Sequence, residues 1–131
     1  MFKNCMILTV LVVFLGLPQL SQAMCAYNRS EHKMQVDFNC GVTCWESWQL
    51  HQNEKGCYPN KGGTIWYSYY IGDDKDRQCY AASLSDLDEH GWATTRGSDS
   101  NLELCAKRSN GSIKACTRFE RALTGRCQKL N

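Results

Sequence analysis

Thr43-Cys44-Trp45-Glu46, running on through Ser47-Trp48-Gln49-Leu50-His51-Gln52-Asn53, sets the fold class expected of this chain. The first four residues form a capping box. The Thr43 hydroxyl can accept from the third helical N–H while Glu46 reaches back to the cap. A helix from Cys44 to Asn53 follows, with Gly56 as its stop. Cys44, Trp48 and His51 fall three or four residues apart on one helical face, which packs inward around a disulfide. This is the one principal helix. The expected class is α+β, a small disulfide-rich domain with an antiparallel sheet.

The sheet is read from alternation and turn residues. Met34, Val36 and Phe38 alternate with Gln35, Asp37 and Asn39, giving a short strand that ends at Gly41. Thr64 to Ile71 is the strongest strand, rich in aromatic residues, with Ile65, Tyr67, Tyr69 and Ile71 on one side. Trp66, Ser68 and Tyr70 face the other way. Gln78 to Ala82 returns as its antiparallel partner, and Ser85 to His90 forms a helical turn stopped by Gly91.

Leu102 to Arg108 and Ile113 to Phe119 form a hairpin about Asn110-Gly111, the strongest short turn signal. A two-residue turn there sets Cys105 opposite Cys116 and puts Leu104, Ala106, Ile113 and Ala115 on one apolar face. Counted outward from that turn, the two cysteines occupy a hydrogen-bonded pair, where side chains diverge and a direct bridge is strained. Each cysteine is therefore expected to bond elsewhere. Thr117-Arg118-Phe119-Glu120 reads as a second capping box, with a short helix to Leu123.

Residues 1–23 carry a targeting signal. Lys3 is the basic end, Met6 to Leu17 is an apolar run of 12 residues, and Ser21-Gln22-Ala23 supplies the small residues of a cleavage site. Twelve residues are too few to cross about 30 Å of hydrocarbon as a helix. The expected product is one secreted, extracellular domain, residues 24–131, with no membrane span.

Nine cysteines occur in the chain, and Cys5 leaves with the signal. The other eight are Cys25, Cys40, Cys44, Cys57, Cys79, Cys105, Cys116 and Cys127. An even set in an oxidising compartment reads as four disulfides. No paired Cys-x2-Cys knuckles suggest zinc, so no metal and no cofactor are expected. Two sequons, Asn28-Arg29-Ser30 and Asn110-Gly111-Ser112, mark Asn28 and Asn110 as glycosylation sites.

Charge is unevenly spread. Residues 24–72 sum to zero, residues 73–103 to −5 and residues 106–131 to +6. Either the basic end lies against the acidic middle, or it presents a basic face to an anionic partner. The formal charge of +2 over the whole chain does not suit a general polyanion binder. The residues singled out for binding are Trp66 and Tyr70, whose rings can stack sugars or bases, with Arg77, Lys107 and Lys114. Asp73, Asp74 and Asp76 read as a solvated turn, since no calcium loop surrounds them. His51 and His90 have nothing in sequence to bring them together as an acid and base.

Four segments taken in order resemble the fungal guanyl-specific ribonucleases. They are Asp37-Phe38-Asn39-Cys40-Gly41-Val42-Thr43-Cys44-Trp45, Tyr58-Pro59-Asn60-Lys61, Asp76-Arg77, and Gly97-Ser98-Asp99-Ser100-Asn101-Leu102-Glu103-Leu104-Cys105. The resemblance implies a hairpin leading into a single helix, and a bridge between Cys40 and Cys105. It also implies an active site of two histidines, a glutamate and an arginine, of which only Arg77 is matched. Asn60 stands at the first histidine, and Thr95 or Arg96 at the second. No catalytic residue is carried over.

The signal, the cysteine density and the absence of an active site also resemble the small cysteine-rich effectors that fungi secrete. The expected function is therefore a secreted, non-enzymatic binding protein, an effector or toxin acting on another organism. An unidentified host protein is its first expected partner, with RNA or carbohydrate as others, and the chain is expected to be a monomer. An extracellular ribonuclease-like protein that binds or cleaves RNA is the alternative.

Overall fold

Alternation with a period of two marks many of the described segments, and the structure follows it. The computed structural model describes residues 23–73, 75–107, 114–123 and 127. Ten strands occur among them: β1 (Ala23–Asn28), β2 (Met34–Gly41), β3 (Cys44–Leu50), β4 (Glu54–Pro59), β5 (Gly63–Ile71), β6 (Gln78–Leu87), β7 (Trp92–Arg96), β8 (Glu103–Lys107), β9 (Lys114–Arg118) and β10 (Glu120–Ala122). The one helical element among the described residues is a 3-10 turn at Asp99–Asn101.

Sheet I has the order β4-β1-β7-β8-β9 and sheet II the order β10-β6-β5-β2-β3. All neighbours are antiparallel except β1 and β7, which run parallel. The inner faces meet as a sandwich. Met34, Val36, Phe38, Ile65, Tyr67 and Tyr69 of sheet II pack against Met24, Ala26, Ala93, Leu104 and Ala106 of sheet I, all of them buried. Each large side chain so placed contributes about 1.5–3 kcal/mol.

Tyr67 ties the two layers together. It is fully buried on the central strand of sheet II, and its hydroxyl donates to the Tyr27 carbonyl of β1 at 2.9 Å. The Ala93 carbonyl of β7 lies 3.4 Å from the same oxygen. Burial pushes this hydroxyl far above the ordinary tyrosine range, so it stays protonated and remains a donor.

The principal helix is not formed. Residues 44–50 make β3, hydrogen-bonded to β2 from Met34↔Leu50 to Gly41↔Cys44. Trp48 fits both periods, since Cys44, Glu46, Trp48 and Leu50 share a strand face as readily as Cys44 and Trp48 share a helical one. The Cys40–Cys44 disulfide across the hairpin, together with the strand partner, selects the extended form. Gly56 ends no helix. It sits on β4 under the Trp48 indole, where a Cβ would fall 2.4 Å from the ring.

Three smaller expectations change with it. Residues 85–87 extend β6 to ten residues, and Gly91 N donates to Asp88 O at 2.9 Å in a tight turn rather than a helical one. No helix starts at Thr117; β9 runs through Arg118, and Phe119 carries the chain across to sheet II, where β10 pairs with β6. The register of β8 and β9 is the expected one, but Cys105 and Cys116 bond to each other. Their Cα atoms are 4.1 Å apart, the spacing of a narrow pair in which side chains approach. The count from a two-residue turn had assigned them to a wide pair. The Asn110-Gly111 turn lies outside the described residues.

The remaining bridges are Cys25–Cys57 between β1 and β4, and Cys79–Cys127 from β6 to the C-terminal segment. Cys40–Cys105, implied by the ribonuclease resemblance, is absent, as is that fold's helix.

Peptide mapping without reduction should return the pairs 25–57, 40–44, 79–127 and 105–116. A linked Cys40–Cys105 peptide would refute the sandwich. Tyr67→Phe should lower unfolding stability by about 1–2 kcal/mol in urea titration, because it strands buried carbonyls. The folded hydroxyl titrates above the ordinary value of 10.0, so its share of stability is complete below that pH and declines as pH rises beyond it. The Phe variant should lose that part of the alkaline decline.

Candidate functional site

The parallel pairing of β1 and β7 builds a cleft on the outer face of sheet I. Along both strands alternate side chains enter the core, Met24 and Ala26 from one and Ala93 and Thr95 from the other. The intervening residues face out. Register sets Cys25 beside Trp92 and Tyr27 beside Thr94 on the outer face of sheet I. Arg29 and Arg96 continue the two rows. Together they line a cleft of about 600 Å³, with Gly97 at its end.

The turn after β1 positions Arg29. Asn28 is fully buried, and its side-chain N–H groups donate to the carbonyls of His32 (2.7 Å) and Leu50 (2.8 Å). Its Oδ1 accepts from Ser30 N at 2.9 Å and Ser30 Oγ at 2.7 Å. Arg29 N then donates to the buried Thr95 hydroxyl at 2.7 Å, which fastens the turn to β7. Gly97 bends the chain away at φ +82, where a Cβ would lie 2.5 Å from Asn101 O. Both arginines thus leave rigid backbone at one end of the cleft.

The cleft is electropositive. Lys55 of β4 holds the register position beside Tyr27, and Lys107 of β8 the one beside Trp92. Lys114 follows opposite Lys107 on β9. Glu103 is the acid on this face; its carboxylate is 3.9 Å from Arg96 Nε, an exposed pair worth little in water. Arg29 makes no ion pair among the described residues. Beyond Arg29 and Gly97 a recess of about 150 Å³ continues the cleft past Glu31, His32 and Gln52.

The binding residues expected from sequence fall on two faces. Trp66, Tyr70 and Arg77 lie on the outer side of sheet II, where the Arg77 guanidinium stands 3.9 Å from the Tyr70 ring centroid. Trp66 stacks with Trp45 at 6.0 Å and 12°. Trp45 was hidden by the helical reading of its segment. A cleft of about 250 Å³ adjoins Trp66, with Ser83, Arg118 and Glu120 in its wall. Lys107 and Lys114 belong to sheet I instead.

The other candidates are dispersed. His32 stacks on Tyr69 at 4.5 Å, His51 lies in the turn before β4, and His90 contacts Glu89 in the turn before β7. Asp76 N points at Asp73 Oδ1 at 3.4 Å in an exposed turn. Glu103 lies within 4.8 Å of the Cys105 and Cys116 sulfurs, but disulfide sulfurs lack the thiolate that binds a metal.

Sequence reasoning passed over Tyr27, Arg29, Trp92 and Thr94, and met Arg96 only as a stand-in for a catalytic histidine. The signal was the spacing of two in each pair or triplet, yet nothing local says that residues so far apart lie side by side. No family model, curated protein or solved structure matches the chain, so its site rests on its own geometry.

The Asn28 sequon has a structural use that competes with glycosylation. Both side-chain N–H groups are spent inside the fold, and a glycan would replace one of them and need a route to solvent. Intact-mass analysis before and after glycosidase treatment should find Asn28 unmodified in folded protein. Asn28→Ala should cost about 1–3 kcal/mol, because it leaves buried carbonyls unpaired. The second sequon, at Asn110, lies outside the described residues.

Proposed function

We propose that this chain is a secreted, non-enzymatic binding protein that takes anionic ligands on the outer face of sheet I. The observation that carries the reading is the pair Arg29 and Arg96 lining one aromatic-floored cleft, with Lys55 and Lys107 at register positions beside it and no carboxylate in its own wall among the described residues. A small net charge hides this face, because the acidic residues of the middle segment lie mainly in the turns before β6 and β7. Fixed guanidinium groups bind carboxylate, sulfate or phosphate with directed hydrogen bonds.

Export is supported by the N-terminal signal and by four disulfides, which are typical of extracellular proteins. Among the described residues, no helix is long and apolar enough to cross a membrane. The binding reading is supported over a histidine-based catalytic one by the scatter of the three histidines, which do not face one substrate position.

Retention on immobilised dextran sulfate tests the proposal. Wild-type protein should elute late in a salt gradient. The double variant Arg29→Glu/Arg96→Glu should bind at least about tenfold more weakly, with a salt dependence shallower by about two charges. The same variant of the sheet II residues, Arg77→Glu, should elute as wild type. Unchanged retention of the sheet I variant would move the function elsewhere.

A further inference from the structure

We infer that the sheet I cleft recognises nucleotide units, taking a phosphate on Arg29 and Arg96 and a base on the Tyr27–Trp92 floor. This rests on the proposed function and narrows its ligand. An anion site alone needs cations. It does not need two aromatic rings set between them, on a face otherwise exposed to water.

The layout fits a charged group joined to a flat one. Arg29, just past the end of β1, is fastened to β7 through Thr95, and Arg96 follows Thr95 directly, so both guanidinium groups line the same cleft and can address one phosphate. Each step of two residues along a strand is about 6.6 Å. Tyr27 stands one step from the arginine row and Trp92 stands two. A base attached to the bound phosphate therefore falls over Tyr27, and the next base of an extended strand falls towards Trp92. The cleft, about 600 Å³, has room for such a unit.

Rings and guanidinium groups provide different parts of the affinity. Stacking tolerates any base because every base has a π-face, whereas the phosphate contact is ionic and lost with salt. Sulfated or carboxylated polysaccharides would also engage the cations, but their puckered, charged rings offer the aromatic faces less flat area than a planar base does. Glu103 beside Arg96 opposes any phosphate there, so its neutralisation should strengthen binding.

Fluorescence polarisation with the full mature protein tests the inference. The probes are a labelled single-stranded hexanucleotide, its abasic counterpart of the same charge, and a heparin hexasaccharide, with adenosine monophosphate as competitor. The hexanucleotide should bind at least tenfold more tightly than the abasic strand. Trp92→Ala should remove most of that difference, and Trp92→Phe should restore it. Glu103→Gln should tighten both strands by a few-fold. Competition by the mononucleotide at a similar concentration would mark a free nucleotide as the ligand; weak competition would mark a strand, and both support the inference. Equal binding of hexanucleotide, abasic strand and heparin, or no effect of Trp92→Ala, would overturn it and leave the anionic-ligand reading intact. Failure of all three probes to bind would overturn both.

Discussion

The Tyr67 hydroxyl is the bond on which the molecule is organised. It leaves the middle strand of one sheet, crosses the core and ends at carbonyls of the two parallel strands in the other. A phenol buried this deeply is tolerable only with an acceptor, and here the acceptor is backbone that must lie at one height and in one register. That requirement holds β1 beside β7. The cleft on the far side of the same two strands inherits its geometry from this contact.

The four disulfides act around that centre rather than through it. Cys25–Cys57 and Cys105–Cys116 tie neighbouring strands of sheet I, while Cys40–Cys44 closes a hairpin of sheet II. Cys79–Cys127 spans 48 residues and holds the C-terminal end to β6. Each may be credited with about 2–4 kcal/mol through restriction of the unfolded chain, with the longest loop gaining most. The edges of the sandwich are managed by the chain itself. β3 passes into β4 at one side and β9 into β10 at the other, so each crossing links an edge of one sheet to an edge of its partner.

Much of this was legible in the sequence, and the failures have definite causes. The β5 strand, its return in β6 and the β8–β9 register were readable because alternation and a turn signal are local. The β3 segment misled because Trp48 and Cys44 satisfy a helical spacing and a strand spacing at once. Only pairing with β2 distinguishes them, and pairing is not a local property. The capping boxes at Thr43 and Thr117 describe what those side chains do if a helix follows; they do not cause one. The cleft was illegible for a similar reason. Tyr27 and Trp92 come to line one cleft through a parallel pairing across more than 60 residues of chain, with no turn to announce it.

Alternation on β1 and β7 also separates two kinds of selection. Met24, Ala26, Ala93 and Thr95 point into the sandwich, and a change at any of them is felt by the whole fold. Tyr27, Trp92, Thr94 and Arg96 point out and hold little of the core together. Mutations at these outward positions can therefore accumulate at small thermodynamic cost, altering what the surface recognises while the scaffold persists. A lineage of such proteins would be free to change ligands faster than it changes shape.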